Sequence, residues 1–271
     1  MNIKSVLREA YKKRDPWSHK GDFGKVLVVG GSKEYTGAVA LVGLAALKSG
    51  TDLTYIAAPE RAANISASFS PNLITVPLNG DYLTSKHFRE IQEIESDAIV
   101  FGNGLGTRSA SFCKLMWKTK KPCVIDGDAL KFLPEKLGKN FVITPHAGEF
   151  EILSREKVPQ KTEARKRLVK KYAIKLNCTI LLKGHIDIIS DGKRVFENRT
   201  GNPYMTKGGT GDVLAGICGA LLARGLEPFK AGCLAAYISG SAGDLAAKKY
   251  GESLLATDVI EEIKNVINLW K

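Results

Sequence analysis

Five short apolar runs constrain the fold more than anything else in this chain: KVLVV at 25–29, AIVF at 98–101, CVI at 123–125, FVI at 141–143 and TILL at 179–182. Each is too short for a helix, and none shows the alternation of a strand with one wet face. Segments of helical period separate them, among them Ala38 to Lys48, built of small and aliphatic residues and closed by Gly50. Strands apolar on both faces and separated by helices predict a mostly parallel sheet covered on both sides. Leu53 to Ala57 supplies another strand. From His185 to Asn198 the pattern changes to HIDIIS, Asp191-Gly192 and KRVFEN, a hairpin turned at Asp-Gly that gives the sheet an antiparallel margin. The last helix has Asp258 as its cap and Ile260, Ile263, Val266, Ile267 and Trp270 on one stripe. The expected architecture is a three-layer α/β sandwich in one domain, residues 1–271, without linker or repeat.

Charge narrows the ligands. The 271 residues include 40 basic and 28 acidic side chains, a net charge of +12, which favours anions such as nucleotides or nucleic acid. The densest basic stretch, RKRLVKKYAIK at 165–175, reads as one wet helix face with Leu168, Val169 and Ile174 turned inward. No zinc-finger, helix-turn-helix or RNP signature accompanies it, so no nucleic-acid partner is expected. No apolar run reaches the ~18 to 20 residues of a membrane span, and the N-terminus lacks a signal-peptide core. The five cysteines (113, 123, 178, 218 and 233) are odd in number and contain no CxxC pair. Buried free thiols in a reducing cytoplasm are the expectation.

In sheets of this kind a ligand sits beyond the carboxyl ends of the strands. The loops that leave those ends are GGSKEYTGA, GNGLGTR, DGDAL, TPHAGEF and KGHID, and all five belong on one rim. A P-loop is absent, and GNGLG lacks the spacing of a dinucleotide fingerprint. Phosphate is instead assigned to NPYMTKGGTGDVLAG at 202–216. There Gly208, Gly209 and Gly211 allow positive φ and close approach of a ligand to bare backbone. From Val213 the apolar residues Leu214, Ile217, Leu221 and Leu222 follow at helical spacing. A glycine loop emptying into a helix N-terminus suits an anion.

Asp212 does not suit one. A carboxylate beside phosphate has a task if it is a general base, taking a proton from a substrate hydroxyl while the loop holds the phosphoryl group in transfer. The alternative is an acid favoured by the helix dipole, which does not call for three glycines before it. His146 either contacts a ligand or is a structural loop histidine. Lys183 either neutralises phosphate or is an ordinary strand-end lysine. Asp126 and Asp128 either hold Mg²⁺ through water or close a turn. His185 and Asp187 read equally well as surface residues.

GGTGD followed by VLAG resembles the GxGD signature of the ribokinase-like superfamily. Together with SHKGDFGKVLVVGGSKEYTGA at 18–38, GNGLG at 102–106, TPHAGEF at 144–150 and LLKGHID at 181–187, it resembles the ADP-dependent NAD(P)H-hydrate dehydratases, block by block. DGDAL at 126–130 departs from the family's more frequent DADAL. Many members carry an epimerase domain upstream; the resemblance here implies the dehydratase alone.

That resemblance implies a ribokinase-like fold and repair of hydrated NADH or NADPH, with ADP as phosphoryl source, AMP and phosphate as products and Mg²⁺ as cofactor, its ligands unassigned. It implies Asp212 as base, with Ala38, Gly104, His146 and Asp212 contacting the hydrate. It implies Lys183, Gly184, His185, Ile186, Asp187, Gly208, Gly209 and Gly211 around the nucleotide. A homo-oligomer, a tetramer by family likeness, is also implied, and the small-residue helix Ala38 to Ala46 allows close packing between subunits. Two rivals stand beside this reading: a vitamin-precursor or sugar kinase of the same superfamily, and a non-catalytic nucleotide- or nucleic-acid-binding module.

Overall fold

The apolar runs become the middle of one sheet in the computed structural model, which describes residues 1–269. Its strands are β1 (Lys25–Val29), β2 (Leu53–Pro59), β3 (Ile74–Leu78), β4 (Ala98–Phe101), β5 (Cys123–Ile125), β6 (Phe141–Ile143), β7 (Thr179–Leu182), β8 (Asp187–Ser190) and β9 (Val195–Asn198). The nine lie in the order β3-β2-β1-β4-β5-β6-β7-β8-β9. The first seven positions are parallel, and β8 runs antiparallel to both of its neighbours. The strand order reverses direction at β1, which pairs with both β2 and β4.

Ten α-helices lie among the described residues: α1 (Ile3–Ala10), α2 (Ala38–Lys48), α3 (Glu60–Phe69), α4 (Phe88–Glu93), α5 (Ala110–Met116), α6 (Ala147–Ser154), α7 (Thr162–Leu176), α8 (Thr210–Ala223), α9 (Pro228–Tyr250) and α10 (Ala256–Asn268). Strand side chains alternate between two cores. Val26 and Val28 face α1, α2, α3, α8, α9 and α10, whereas Leu27 and Val29 face α4, α5, α6 and α7. All five cysteines are free and buried, Cys218 and Cys233 in the first core and Cys113, Cys123 and Cys178 in the second. Burial pushes every one of these thiols up, Cys113 to about 12. No described helix is long and apolar enough to cross a membrane.

Several sequence expectations are corrected. The hairpin is present, but Ser190 pairs with Val195, so its loop has four residues rather than an Asp-Gly pair. Asp191 Oδ1 accepts the N–H groups of Lys193 and Arg194 and thereby shapes that loop. On α7 the buried positions are Leu168, Val169, Tyr172, Ala173 and Leu176, and Ile174 points outward at 63% exposure. Arg165 leaves the wet face too: its guanidinium lies against Gly184 and its Nε is buried. The cap of α10 is Leu255; Asp258 sits one turn in and accepts the Leu255 N–H at 2.8 Å. Ile260, Ile263, Val266 and Ile267 are buried as expected, and Trp270 falls outside the described residues. Finally, α2 packs on α8 within the chain, where Gly216 has no room for a side chain against the Val42 carbonyl. Its small residues therefore serve a close contact within the chain.

Candidate active site

The five expected loops meet on the carboxyl rim, and backbone contacts lock them. Gly31 N–H donates to the Asn103 carbonyl at 2.8 Å, joining the loops after β1 and β4. Gly102, at φ 117°, lets that second loop pass directly against the Asp126 carbonyl after β5, a space any side chain would fill. Lys183 N–H donates to the Pro145 carbonyl at 2.9 Å, joining the loops after β7 and β6. Ala38 and Gly104 meet as well: a Cβ on Gly104 would stand 3.2 Å from that of Ala38 and 3.0 Å from that of Tyr35.

A polar network fills the centre of the rim. Asp126, only 4% exposed, accepts on Oδ1 from Thr144 Oγ1 at 2.7 Å and Lys183 Nζ at 2.9 Å. On Oδ2 it accepts from Asn103 Nδ2 at 2.9 Å. The same Asn103 amide donates to Asp212 Oδ1 at 2.7 Å. Lys183 Nζ also lies 3.9 Å from Glu149 Oε2, which accepts the His146 N–H at 2.8 Å.

This arrangement sets the charges. Burial raises the Asp212 carboxyl from its ordinary value to about 7; the Asn103 hydrogen bond opposes the shift, the Asp126 charge adds to it, and Lys183 pulls it back. Burial alone would lower the Lys183 ammonium, but the neighbouring charges, Asp126 first and then Glu149, more than offset this and hold it raised. Lys183 is thus a fixed cation at the rim, and Asp212 a carboxyl that changes protonation near neutral pH.

Helix α8 places Asp212. Gly209 is its N-cap, with φ 93°, and Asp212 is its third residue. By helix geometry the N–H groups of Gly211 and Asp212 leave the helix end facing outward, while that of Thr210 turns to the Lys207 carbonyl at 3.5 Å. Of the three glycines, only Gly209 uses positive φ. Its bare Cα also clears Leu41 and Ala256, which a Cβ would approach to 2.6 and 3.0 Å. Gly208 is exposed with open space around it. Gly211 faces the rim lysine, 3.3 Å from Nζ to a Cβ placed there.

Beside this helix end lies a cleft of about 800 Å³, a size that takes a nucleotide-sized ligand. Its walls include Lys183, Gly184, His185, Asp187, His146 and Gly211. Burial raises the Asp187 carboxyl against the hydrogen bonds it takes from Asn198 and the Gly184 N–H. Ile186 is half-buried and packs against the second core rather than lining the cleft. His146 is exposed and also caps α6, its Nδ1 accepting the Glu149 N–H at 3.3 Å.

Both aspartates considered for Mg²⁺ are already engaged by protein donors. Asp126 has both oxygens engaged, and Asp128 accepts the Gly106 N–H at 2.9 Å and Lys131 Nζ at 2.7 Å. No three His, Cys, Asp or Glu side chains among the described residues gather as a metal cage. The donor set therefore fits an ion carried by nucleotide phosphates and water, the usual habit of Mg²⁺, and not one caged by protein.

Sequence reasoning missed Asn103 and Thr144. Asn103 lies between two glycines and reads as a turn residue; Thr144 opens the TPHAGEF block and is eclipsed there by its histidine.

A sequence model of the family described as NAD(P)H-hydrate dehydratase matches residues 26–265. The bifunctional NAD(P)H-hydrate repair enzyme of Pyrobaculum aerophilum is 44% identical over 92% of this chain and 52% of its own length. The chain spans about half the length of the first curated relatives it matches. The ADP-dependent (S)-NAD(P)H-hydrate dehydratase of Cenarchaeum symbiosum is 40% identical, with 94% of this chain and 92% of that protein covered. Among solved structures, the ADP/ATP-dependent NAD(P)H-hydrate dehydratase of Bacillus subtilis, co-crystallised with ATP and Mg²⁺, superposes with a TM-score of 0.86 at 27% identity, covering 99% of this chain and 97% of that one.

Proposed function

The chain belongs to the NAD(P)H-hydrate dehydratase family, and from that premise we propose that it returns hydrated NADH or NADPH to the reduced dinucleotide, using ADP and releasing AMP and phosphate. Its fold is ribokinase-like. The observation that carries the reading is Asp212: a carboxyl poised near pH 7, at the outward end of a helix, beside a fixed lysine and a nucleotide-sized cleft.

Water added across the nicotinamide 5,6 double bond leaves a ring hydroxyl, and hydroxide is a poor leaving group. Asp212 removes the proton from that hydroxyl. The oxygen bonds to the terminal phosphorus of ADP as the bond from that phosphorus to the bridging oxygen breaks, and AMP leaves. Phosphate then departs from the ring carbon with the carbon–oxygen electron pair, pushed by the ring nitrogen's lone pair. Loss of a proton from the adjacent carbon restores the double bond. The N–H groups at the start of α8 and the Lys183 ammonium stabilise charge on the phosphoryl oxygens. Mg²⁺ carried on the nucleotide supplies further neutralisation of that charge.

The hydrate is assigned to the side of the rim where Ala38 and Gly104 meet, with His146 and Asp212. The nucleotide is assigned to the cleft walled by Lys183, Gly184, His185, Asp187 and Gly211, with Gly208 and Gly209 shaping the helix start. A cytoplasmic homotetramer completes the reading; a solution mass of four chains by light scattering is the matching result. Incubation with hydrated NADH, ADP and Mg²⁺ should regenerate the absorbance of reduced nicotinamide. Phosphate retained on an organic product would instead identify a kinase, and tight nucleotide binding without turnover a binding module.

A further inference from the structure

Asn103 is a buried amide at the centre of the rim, 1% exposed, and the reaction as written leaves it without a task. Both Nδ2 hydrogens go to carboxylates, Asp126 Oδ2 at 2.9 Å and Asp212 Oδ1 at 2.7 Å. Its own Oδ1 is buried without any hydrogen-bond partner. A leucine of similar volume would leave no such orphan. Turning the amide over offers no relief, because Oδ1 would then face two carboxylates that need donors; the neighbours fix its orientation. A local loss held in place by two acids is the pattern of a functional position, not of a packing residue.

We infer that Asn103 is a positioning residue for the proposed reaction, holding Asp212 Oδ1 as an acceptor so that the proton taken from the substrate lands on Oδ2. The inference rests on Asp212 being the base. A proton on Oδ1 would face the Asn103 N–H, donor against donor, so that oxygen stays bare in both protonation states. Oδ2 takes no hydrogen bond from protein among the described residues and is left to exchange the proton. The second Asn103 hydrogen ties this geometry to Asp126, itself anchored by Thr144 and Lys183. The carboxylate on α8 thereby takes its orientation from the strand ends of β5, β6 and β7, not from its own helix.

Two measurements on the apoprotein test this without any substrate. In wild-type protein labelled with ¹⁵N-asparagine, the Asn103 side-chain amide signals are expected to move with the Asp212 carboxyl as pH passes through about 7. Signals that stay fixed while that carboxyl titrates overturn the assignment. In Asn103→Leu, the Asp212 carboxyl, followed by ¹³C NMR, is expected to titrate at higher pH than in wild type. Turnover should then fall about 10- to 100-fold at pH 7, with the acidic limb of kcat/KM displaced in the same direction and the KM for ADP held within about twofold. A folded variant with an unmoved limb refutes the positioning role, whether turnover is kept or lost. A wild-type protein inert toward hydrated NADH would sink the function above, while the apoprotein titration would still report on Asn103.

Discussion

Replacing the Asp212 carboxyl by an amide separates what the group does for catalysis from what it does to the fold. In the folded chain this carboxyl is raised from 3.8 to about 7. At 1.36 kcal/mol per unit the ionised, folded state is destabilised by up to about 4 kcal/mol relative to the unfolded chain. Residual contact with solvent reduces that figure. The sign follows from the two titrations. Below the unfolded value both states are protonated and the term is absent. Between that value and about 7 the unfolded chain ionises first, so stability falls as pH rises; above about 7 the loss is constant. Asp212→Asn removes this slope and keeps an oxygen to accept from Asn103. The variant should therefore melt with wild type near pH 4 and above it at pH 8, by roughly 2 °C per kcal/mol recovered for a chain of this size. Its turnover should fall by about 10²- to 10⁴-fold, the usual loss on removal of a general base. The assay is turnover of hydrated NADH with ADP at saturation, beside calorimetric melts across that pH range. Turnover within a few-fold of wild type, or a melting difference that does not change with pH, refutes the reasoning.

Gly211→Ala should weaken ADP binding by about tenfold, or 1.4 kcal/mol, because the new methyl stands 3.3 Å from Lys183 Nζ and crowds the phosphate side of the helix end; titration calorimetry with unchanged affinity would contradict it. Lys183→Met leaves Asp126 without its cation and should cost on the order of 3 kcal/mol of stability, read by urea denaturation at pH 8, with a wild-type midpoint as the opposing result. With donors at equal concentration, ADP should support turnover at least as well as ATP; activity with ATP and none with ADP would reverse the assignment. Binding to a random DNA duplex should be weak and vanish by physiological salt, and a complex that persists there would reopen the nucleic-acid reading of the +12 charge.

The sheet was legible because unbroken apolar runs have few other places to go: β1, β4, β5, β6 and β7 occupy the spans their hydrophobicity marked. By contrast, β3 escaped notice. ITVPL contains Pro77 and lies at the sheet edge, where half-exposed residues blur the signal. Ile174 was misplaced because a basic helix with few apolar residues leaves its phase open by one position. At the site, parallel topology fixed which loops converge, and the acid among glycines marked Asp212. Asn103 could not be found that way. Its partner on α8 lies 109 residues away, and the pairing exists only because β4 and β5 are neighbours beneath that helix. Likewise, a Lys after a strand says nothing of Asp126 until β5, β6 and β7 stand side by side.

The distribution of the five thiols has a consequence for how the molecule comes apart. Cys218 and Cys233 are sealed beneath one helical layer, and Cys113, Cys123 and Cys178 beneath the other. With every thiol both covered and held in its unreactive protonated form, alkylation must wait for the covering layer to lift. Each layer therefore carries its own clock. If the chain opens as a unit, mass spectrometry will find all five cysteines modified together at one rate; if one layer lifts first, its cysteines will run ahead. The order in which they react then maps the fault line of the sandwich, with no substitution in the sequence.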